Sequence, residues 1–310
     1  MVAVVAIVVY VPWAVRDWIE FGTPLPGQAI ANALSVNGTD IFAWNDPPTI
    51  SRYLAVGPQR LITMRVDGTL HNLVSVLLLL GIPVSAIGLV ALPWFGRGRA
   101  LRPLVVFSVL TFAITSLVFP VSTTWGTFLH AAGPIHVLLI VVCLIALDSV
   151  IDRVGVIRGW SRPVAWLGAT LTIAGCVLFS AVLLPSFGAG SRETQTYYAA
   201  LAGAMGVAGL APRESDPIIT DFPIWLADTT GATALALPEE PPTDVLDLAR
   251  RFGATTVVVS GGSDEGRLWP GIVAADSSGV GCFQEIHLPT SDSSASAALA
   301  ETRVYRIACP

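Results

Sequence analysis

The sequence predicts an α-helical polytopic membrane protein with about five spans and a small extracytoplasmic α/β domain at its C-terminal end. Three observations carry that reading. Hydrophobic residues make up 53% of the 310 and charged residues only 13%, with a mean hydropathy of +0.69, a poor fit to a soluble globular protein. Apolar runs without charged residues, near bilayer length, recur as far as Leu184, and a run of roughly 20 such residues matches the hydrocarbon core. Beyond Leu184 short β-branched runs alternate with helix-like segments, the pattern of an α/β fold. The expected division is a transmembrane region at 1–184, with a long outer loop at 16–68, and an extracytoplasmic domain at 185–310.

Spans are expected at Val2 to Val15, Leu70 to Trp94, Leu104 to Val121, Pro134 to Leu147 and Val164 to Leu184. The first has no basic flank and no small-residue cleavage site, so it does not read as a secretory signal. It starts in mid-span, which reads as the C-terminal part of something longer. Pro83 and Pro120 are compatible with membrane helices. Arg97, Arg99 and Arg102 make one connection basic, and Arg153, Arg158 and Arg162 a second, whereas Ser122 to Gly133 holds no basic residue. The positive-inside rule then sets the N-terminus in the cytoplasm and the 16–68 loop and the C-terminal domain outside a plasma membrane. Trp13, Trp18, Trp94, Trp125, Trp160 and Trp166 fall near span ends, as interfacial aromatics do.

In the domain, a helix is expected over Arg192 to Leu210, weakened by Gly203, Gly206 and Gly209. A strand follows at Ile218 to Thr220, a short helix at Ile224 to Thr229 and a strand at Thr233 to Leu237. The clearest element starts at Pro242 and Thr243, lines one face with Val245, Leu246, Ala249 and Phe252, and ends at Gly253. The β-branched run Thr255 to Val259 completes a β-α-β-α-β order that favours a parallel sheet. Arg303 to Ala308 alternates like an edge strand, and Ser291 to Ser296 reads as a low-complexity loop.

Charge and composition narrow the partners. A net charge of −5 without a basic stripe argues against nucleic acid. All 17 basic residues are Arg, which suits phosphate recognition but also follows from a GC-rich coding sequence, the plainer reading. Cys143 and Cys176 lie in apolar spans as packing residues. Cys282 and Cys309 stand in the extracytoplasmic domain, where either a disulfide or two free thiols is compatible with their spacing. No zinc-type spacing occurs, and Gly261, Gly262 and Gly266 match no nucleotide-loop pattern, so a turn is expected there.

Two segments hold candidate binding residues. At the end of the first span, Arg16 and Asp17 stand between Trp13 and Trp18. Arg16 could hold a lipid phosphate there, or simply snorkel as a helix-end anchor. Between the third and fourth spans, Trp125 and His130 lie in a polar and aromatic insertion. His130 could donate to a phosphate or act as a base, or serve only as a hydrogen-bonded structural residue. Residue chemistry alone names no catalytic group.

Pro12, Trp13, Arg16, Trp18, Phe21, Gly22, Pro24 and Pro26, followed by Gly126, Thr127, Phe128, His130 and Pro134 and then an α/β tail, resemble bacterial GT-C class glycosyltransferases. The nearest likeness is to the mannosyl- and aminoarabinosyltransferase-like membrane enzymes, over Val2 to Leu184. The resemblance implies transfer of a sugar from a polyprenyl-phosphate donor to an acceptor at the outer membrane face. It also implies a carboxylate base on the acceptor, with cations or a divalent metal at the departing phosphate in the intact enzyme. In that family the essential Asp lies in the first outer loop of a longer chain. No residue here aligns with it, since Asp17, Asp40 and Asp46 belong to a later loop, so a missing N-terminal half or a catalytic partner is implied. The competing expectation is a non-enzymatic membrane protein whose α/β domain binds a partner or a glycan.

Overall fold

The computed structural model describes residues 2–22, 28–160, 164, 166–210, 216–260, 280–289 and 293–309. They divide into two compact units, one of residues 1–41 and 48–183, the other of residues 42–47 and 184–310.

The first unit is helical. Its elements are α1 (Val2–Phe21), α2 (Gln28–Leu34), α3 (Ile50–Ala55), α4 (Gly57–Leu70), α5 (Val84–Phe95), α6 (Arg102–Leu117), α7 (Thr127–Ala131), α8 (Gly133–Arg158) and the first part of α9 (Trp166–Val207). Two of these helices, α8 and α9, are long and apolar enough to cross a membrane. A third candidate exists only if a bent pair of helices counts as one span. The chain is thus mostly helical with candidate membrane spans, whereas five crossings are more than the helices show.

Several expected boundaries move, each for a local reason. The expected second span breaks: α4 continues through π-helical His71–Leu78 to Gly81, then turns by 117° into α5. Ile82 is extended ahead of Pro83, as the residue before a proline prefers. The fourth span runs on to Arg158, putting Arg153 and Arg158 inside a helix that closes at left-handed Gly159. The expected third span shortens to the 16 residues of α6. The expected outer loop 16–68 is largely helical, and Arg16 and Asp17 belong to α1 itself.

Packing inside this unit relies on small residues and a few polar contacts. A Cβ placed on Gly88 of α5 would lie 2.2 Å from the Leu139 carbonyl oxygen of α8, so only glycine allows the two backbones this close. Leu138, Val142 and Ala146 of α8 bury against Ala91. Asn72 is fully buried and donates to Ser116 Oγ at 2.9 Å while accepting from Thr123 Oγ1 at 2.8 Å. Asp40 accepts from the amides of Val36 and Asn37 and pairs with Arg52 at 2.7 Å.

The second unit is a three-layer α/β arrangement. It contains β1 (Ile218–Thr220), α10 (Pro223–Thr230), β2 (Ala234–Ala236), α11 (Pro242–Phe252), β3 (Thr256–Val259), β4 (Phe283–Ile286), α12 (Ser293–Ala298) and β5 (Arg303–Ile307). The strand order is β2-β1-β3-β5-β4, with β1 parallel to both β2 and β3 and β5 antiparallel to β3 and β4. Alternation sends Ile219, Val257 and Val259 to the face covered by α11, and Ile218 and Val258 to the face covered by Leu226 of α10 and Tyr198, Leu201 and Met205 of α9.

Arg192 to Val207 is helical as expected, as the continuation of α9. Two expectations are corrected. β5 is not an edge strand, because β4 pairs outside it. Ser293–Ala298 is helical rather than a loop. Cys282 and Cys309 form a disulfide, closing the question their spacing left open. Gly261, Gly262 and Gly266 lie outside the described residues.

One segment joins this unit from far upstream. Trp44 packs against the α11 core and its ring lies edge-on to Phe252, with centroids 5.8 Å apart. The buried Glu240 carboxylate accepts from the amides of Trp44 at 2.7 Å, Asn45 at 2.9 and 3.0 Å, and Asp46 at 3.0 Å. Trp44 Nε1 donates to Asp247 at 3.0 Å and Asn45 Nδ2 to Asp244 at 2.9 Å. Charge-assisted bonds of this kind are among the stronger ones in proteins, and residues 42–47 form a strap on the domain.

Candidate functional site

The sequence candidates occupy separate places. Arg16 lies near the C-terminal end of α1, exposed, with its guanidinium 5.0 Å from the Trp13 ring centroid and 3.9 Å from Asp17, which is buried. The cation therefore rests on an indole one turn back, a cation–π geometry. Trp125 lies in the 3₁₀ turn Ser122–Trp125, and His130 is exposed on α7. Among the described residues no hydrogen bond or ion pair joins Arg16 or Asp17 to His130. Nor does any group of three or more His, Cys, Asp or Glu stand where it could hold a metal ion. The divalent metal that the resemblance implies thus finds no ready ligand set among the described residues.

A different constellation forms at one end of the domain sheet. The chain leaves β1 toward β2 on one side, then returns past β1 to β3 on the other. That reversal is a topological switch point, where open parallel sheets leave a crevice at the carboxyl ends of the strands. Asp221 follows β1 and Ser260 follows β3, so both stand at this place. β5 runs the other way and pairs Arg303 with Val259, which brings Thr302 to the same end. From α9, Tyr197 reaches Thr302 Oγ1 at 2.7 Å, and its ring lies edge-on to Tyr198 with centroids 4.9 Å apart.

The Asp221 carboxylate accepts the Ser260 amide at 3.2 Å on Oδ1 and 3.0 Å on Oδ2, and Thr220 Oγ1 at 3.1 Å on Oδ1. Among the described residues no cation contacts this carboxylate. Burial pushes the Asp221 carboxyl above the usual range, and the Ser260 and Thr220 donors offset only part of that. Burial likewise raises the phenols of Tyr197 and Tyr198, in the polar part of α9 well past Leu184. Ser260 is 6% exposed, and its hydroxyl is near enough to influence Asp221 and both tyrosines. Even so, Ser260 Oγ is buried with no partner in hydrogen-bond geometry.

Sequence reasoning missed this group, because Asp221 and Ser260 are 39 residues apart. The signal that could have found it is the first residue after each parallel strand of a β-α-β-α-β order. Neither a family model, nor a curated protein, nor a solved structure matches the chain.

Proposed function

We propose that the protein works as part of an integral-membrane glycosyltransferase, moving a sugar from a polyprenyl-phosphate carrier to an acceptor at the outer membrane face. In this reading the membrane is crossed about five times, with the N-terminus in the cytoplasm and the α/β unit outside. The observation that carries the reading is the ordered set of residues Pro12 to Pro26 and Gly126 to Pro134, set among apolar helices and followed by an α/β domain. The Cys282–Cys309 disulfide supports an oxidising compartment for that domain. Arg16, braced on Trp13, supplies an exposed cation at the end of an apolar helix, suited to a lipid phosphate. His130 would add a second donor to the phosphate.

The test uses the full chain in liposomes containing a photoreactive polyprenyl-phosphate sugar. Arg16→Ala should reduce crosslinking about tenfold, the loss expected for one charge-assisted contact, and His130→Ala by a smaller factor. Unchanged crosslinking in both variants would overturn the assignment.

The second reading, a membrane-anchored binding domain without catalysis, is favoured by one specific observation. The polar group that Asp221 and Ser260 form in the α/β unit uses none of the residues assigned to the carrier phosphate. Crosslinking lost in neither variant, together with ligand binding that Asp221→Ala abolishes, would select it.

A further inference from the structure

We infer that the first turn of α10, at Ile224 and Trp225, is a membrane-docking surface that inserts into the headgroup layer of the bilayer crossed by α9. The inference rests on α9 crossing a membrane and not on the transferase reading, since it uses neither Arg16 nor His130.

The direction of α9 within the α/β unit comes first. Tyr197 meets Thr302 beside the carboxyl end of β3, and α9 ends at Val207 before the chain enters β1 at Ile218. The helix thus runs opposite to β1, and its residues before Tyr197 extend past the carboxyl ends of the strands. α10 begins at that same end. Pro223 follows β1 after two residues, and Phe222 packs into the apolar cluster that also takes Tyr197.

Exposure is concentrated there. Among the described residues, the large apolar side chains left exposed in this unit are Leu184, Phe187, Val207, Ile224, Trp225 and Phe252. Leu184 and Phe187 on α9, with Ile224 and Trp225 on α10, lie at or beyond the carboxyl ends of the strands, and such a concentration marks an interaction surface. Height decides whether α10 can reach lipid. α9 carries no charged residue from Trp166 up to Arg192, and from Arg192 to Tyr197 the helix rises about 8 Å. The headgroup layer is roughly 5–8 Å deep on each side of the hydrocarbon, and any tilt at Pro185 lowers the strand ends toward it.

The side chains suit that depth. Ile224 is 80% exposed and Trp225 37%, and Trp favours the headgroup level. The first turn of α10 has no acidic residue, whereas Asp228, one turn on and on the same face as Ile224, is exposed. The apolar face is therefore confined to the turn nearest the membrane. A second copy of the chain is a poorer occupant. Two side chains offer roughly 300 Å² at most, well below the ~800 Å² that each partner of a stable interface buries.

The test is spin labelling of the full chain in phosphatidylcholine liposomes. The nitroxide is carried on Leu184→Cys, Ile224→Cys or Asp228→Cys, with Cys143 and Cys176 replaced by Ser. Ile224 is mostly exposed, so its replacement removes no core packing. Collisions with oxygen, which concentrates in lipid, are compared with those of a water-soluble nickel chelate. The oxygen-to-nickel ratio should be several-fold higher at 224 than at 228, and highest at 184. A ratio at 224 equal to that at 228, with 184 in lipid, would overturn the inference alone. Water exposure at 184 as well would overturn it together with its premise. Shielding of 224 from both reagents, with spin–spin broadening between copies, would overturn it in favour of self-association. Crosslinking by the polyprenyl-phosphate probe is read separately, so failure of the transferase reading is distinguishable from failure here.

Discussion

The two units of this protein are held together by different means. The helical unit has few buried charges and depends on close backbone approach, with Gly88 against the Leu139 carbonyl and Asn72 between Ser116 and Thr123. The α/β unit is organised by a sheet, and its carboxylates Glu240, buried, and Asp221, half-buried, meet backbone and hydroxyl donors. In lipid, apolar surface does not drive helices together, so steric fit and sparse hydrogen bonds must. In water, burial of the strand and α11 residues supplies the drive, and polar groups can be used for fastening and for ligands. The two carboxylates also differ from each other. Glu240 is taken up by the strap, whereas Asp221 is held by the Ser260 amide and the Thr220 hydroxyl where β1 gives way to α10.

Substitutions should separate these modes. The largest effect is expected from Gly88→Val, because the atom it would strike is backbone and cannot rotate away. A loss of about 3 kcal/mol would appear as a lower midpoint of helix unfolding in mixed micelles, leaving the α/β unit untouched. Next comes Glu240→Ala, which deprives the amides of Trp44, Asn45 and Asp46 of their acceptor. About 2–3 kcal/mol should be lost from the α/β unit, with proteolysis newly admitted at residues 42–47. Asn72→Ala should cost about 1 kcal/mol, in line with interhelical hydrogen bonds in membranes, read by the same micelle unfolding.

The smallest change should have the opposite sign. Burial raises the folded pKa of Asp221 above its unfolded value, which lies near ~3.9. Below the unfolded value both states are protonated and the carboxyl imposes no penalty. As pH rises past the folded value, the charged form is disfavoured in the fold and stability falls. Asp221→Asn should therefore raise the melting temperature of the α/β unit at pH 7, with the gain shrinking as pH falls toward 4. Equal gains at both pH values would remove the electrostatic explanation.

Much of the α/β unit was legible because its signals are local. Pro242 and Thr243 begin α11, Val245, Leu246 and Ala249 share its buried face while the expected fourth member, Phe252, stays exposed, and left-handed Gly253 ends it. The run Thr256–Val259 reads directly as a buried strand. β4 was missed because Phe283, Gln284, Glu285 and Ile286 place two polar residues between two apolar ones and so do not alternate, and its absence made β5 look like an edge. In the helical unit, hydropathy summed across Leu70 to Trp94 could not register a 117° turn, since apolar composition is unchanged on either side of it. The strap was invisible for a different reason. Glu240 and Trp44 are 196 positions apart, and nothing around either residue announces the other. The candidate site divides the same way: Arg16 and His130 stand out as isolated polar groups in apolar sequence, whereas Asp221 and Ser260 acquire meaning only when the sheet brings two strand ends together.

The strap also bears on which side of the membrane each part occupies. Residues 42–47 belong to the same compact unit as 184–310, so both face the same compartment, and the proposed topology puts the Arg97–Arg102 connection on the other side. The most direct measurement is labelling of single introduced cysteines in intact cells with a membrane-impermeant maleimide, using Pro47→Cys, Asp228→Cys and Arg99→Cys, all exposed positions, in a background with Cys143 and Cys176 replaced by Ser. The account predicts labelling at positions 47 and 228 and none at 99 until the membrane is opened. Labelling at 99 in intact cells, or at only one of 47 and 228, would contradict it.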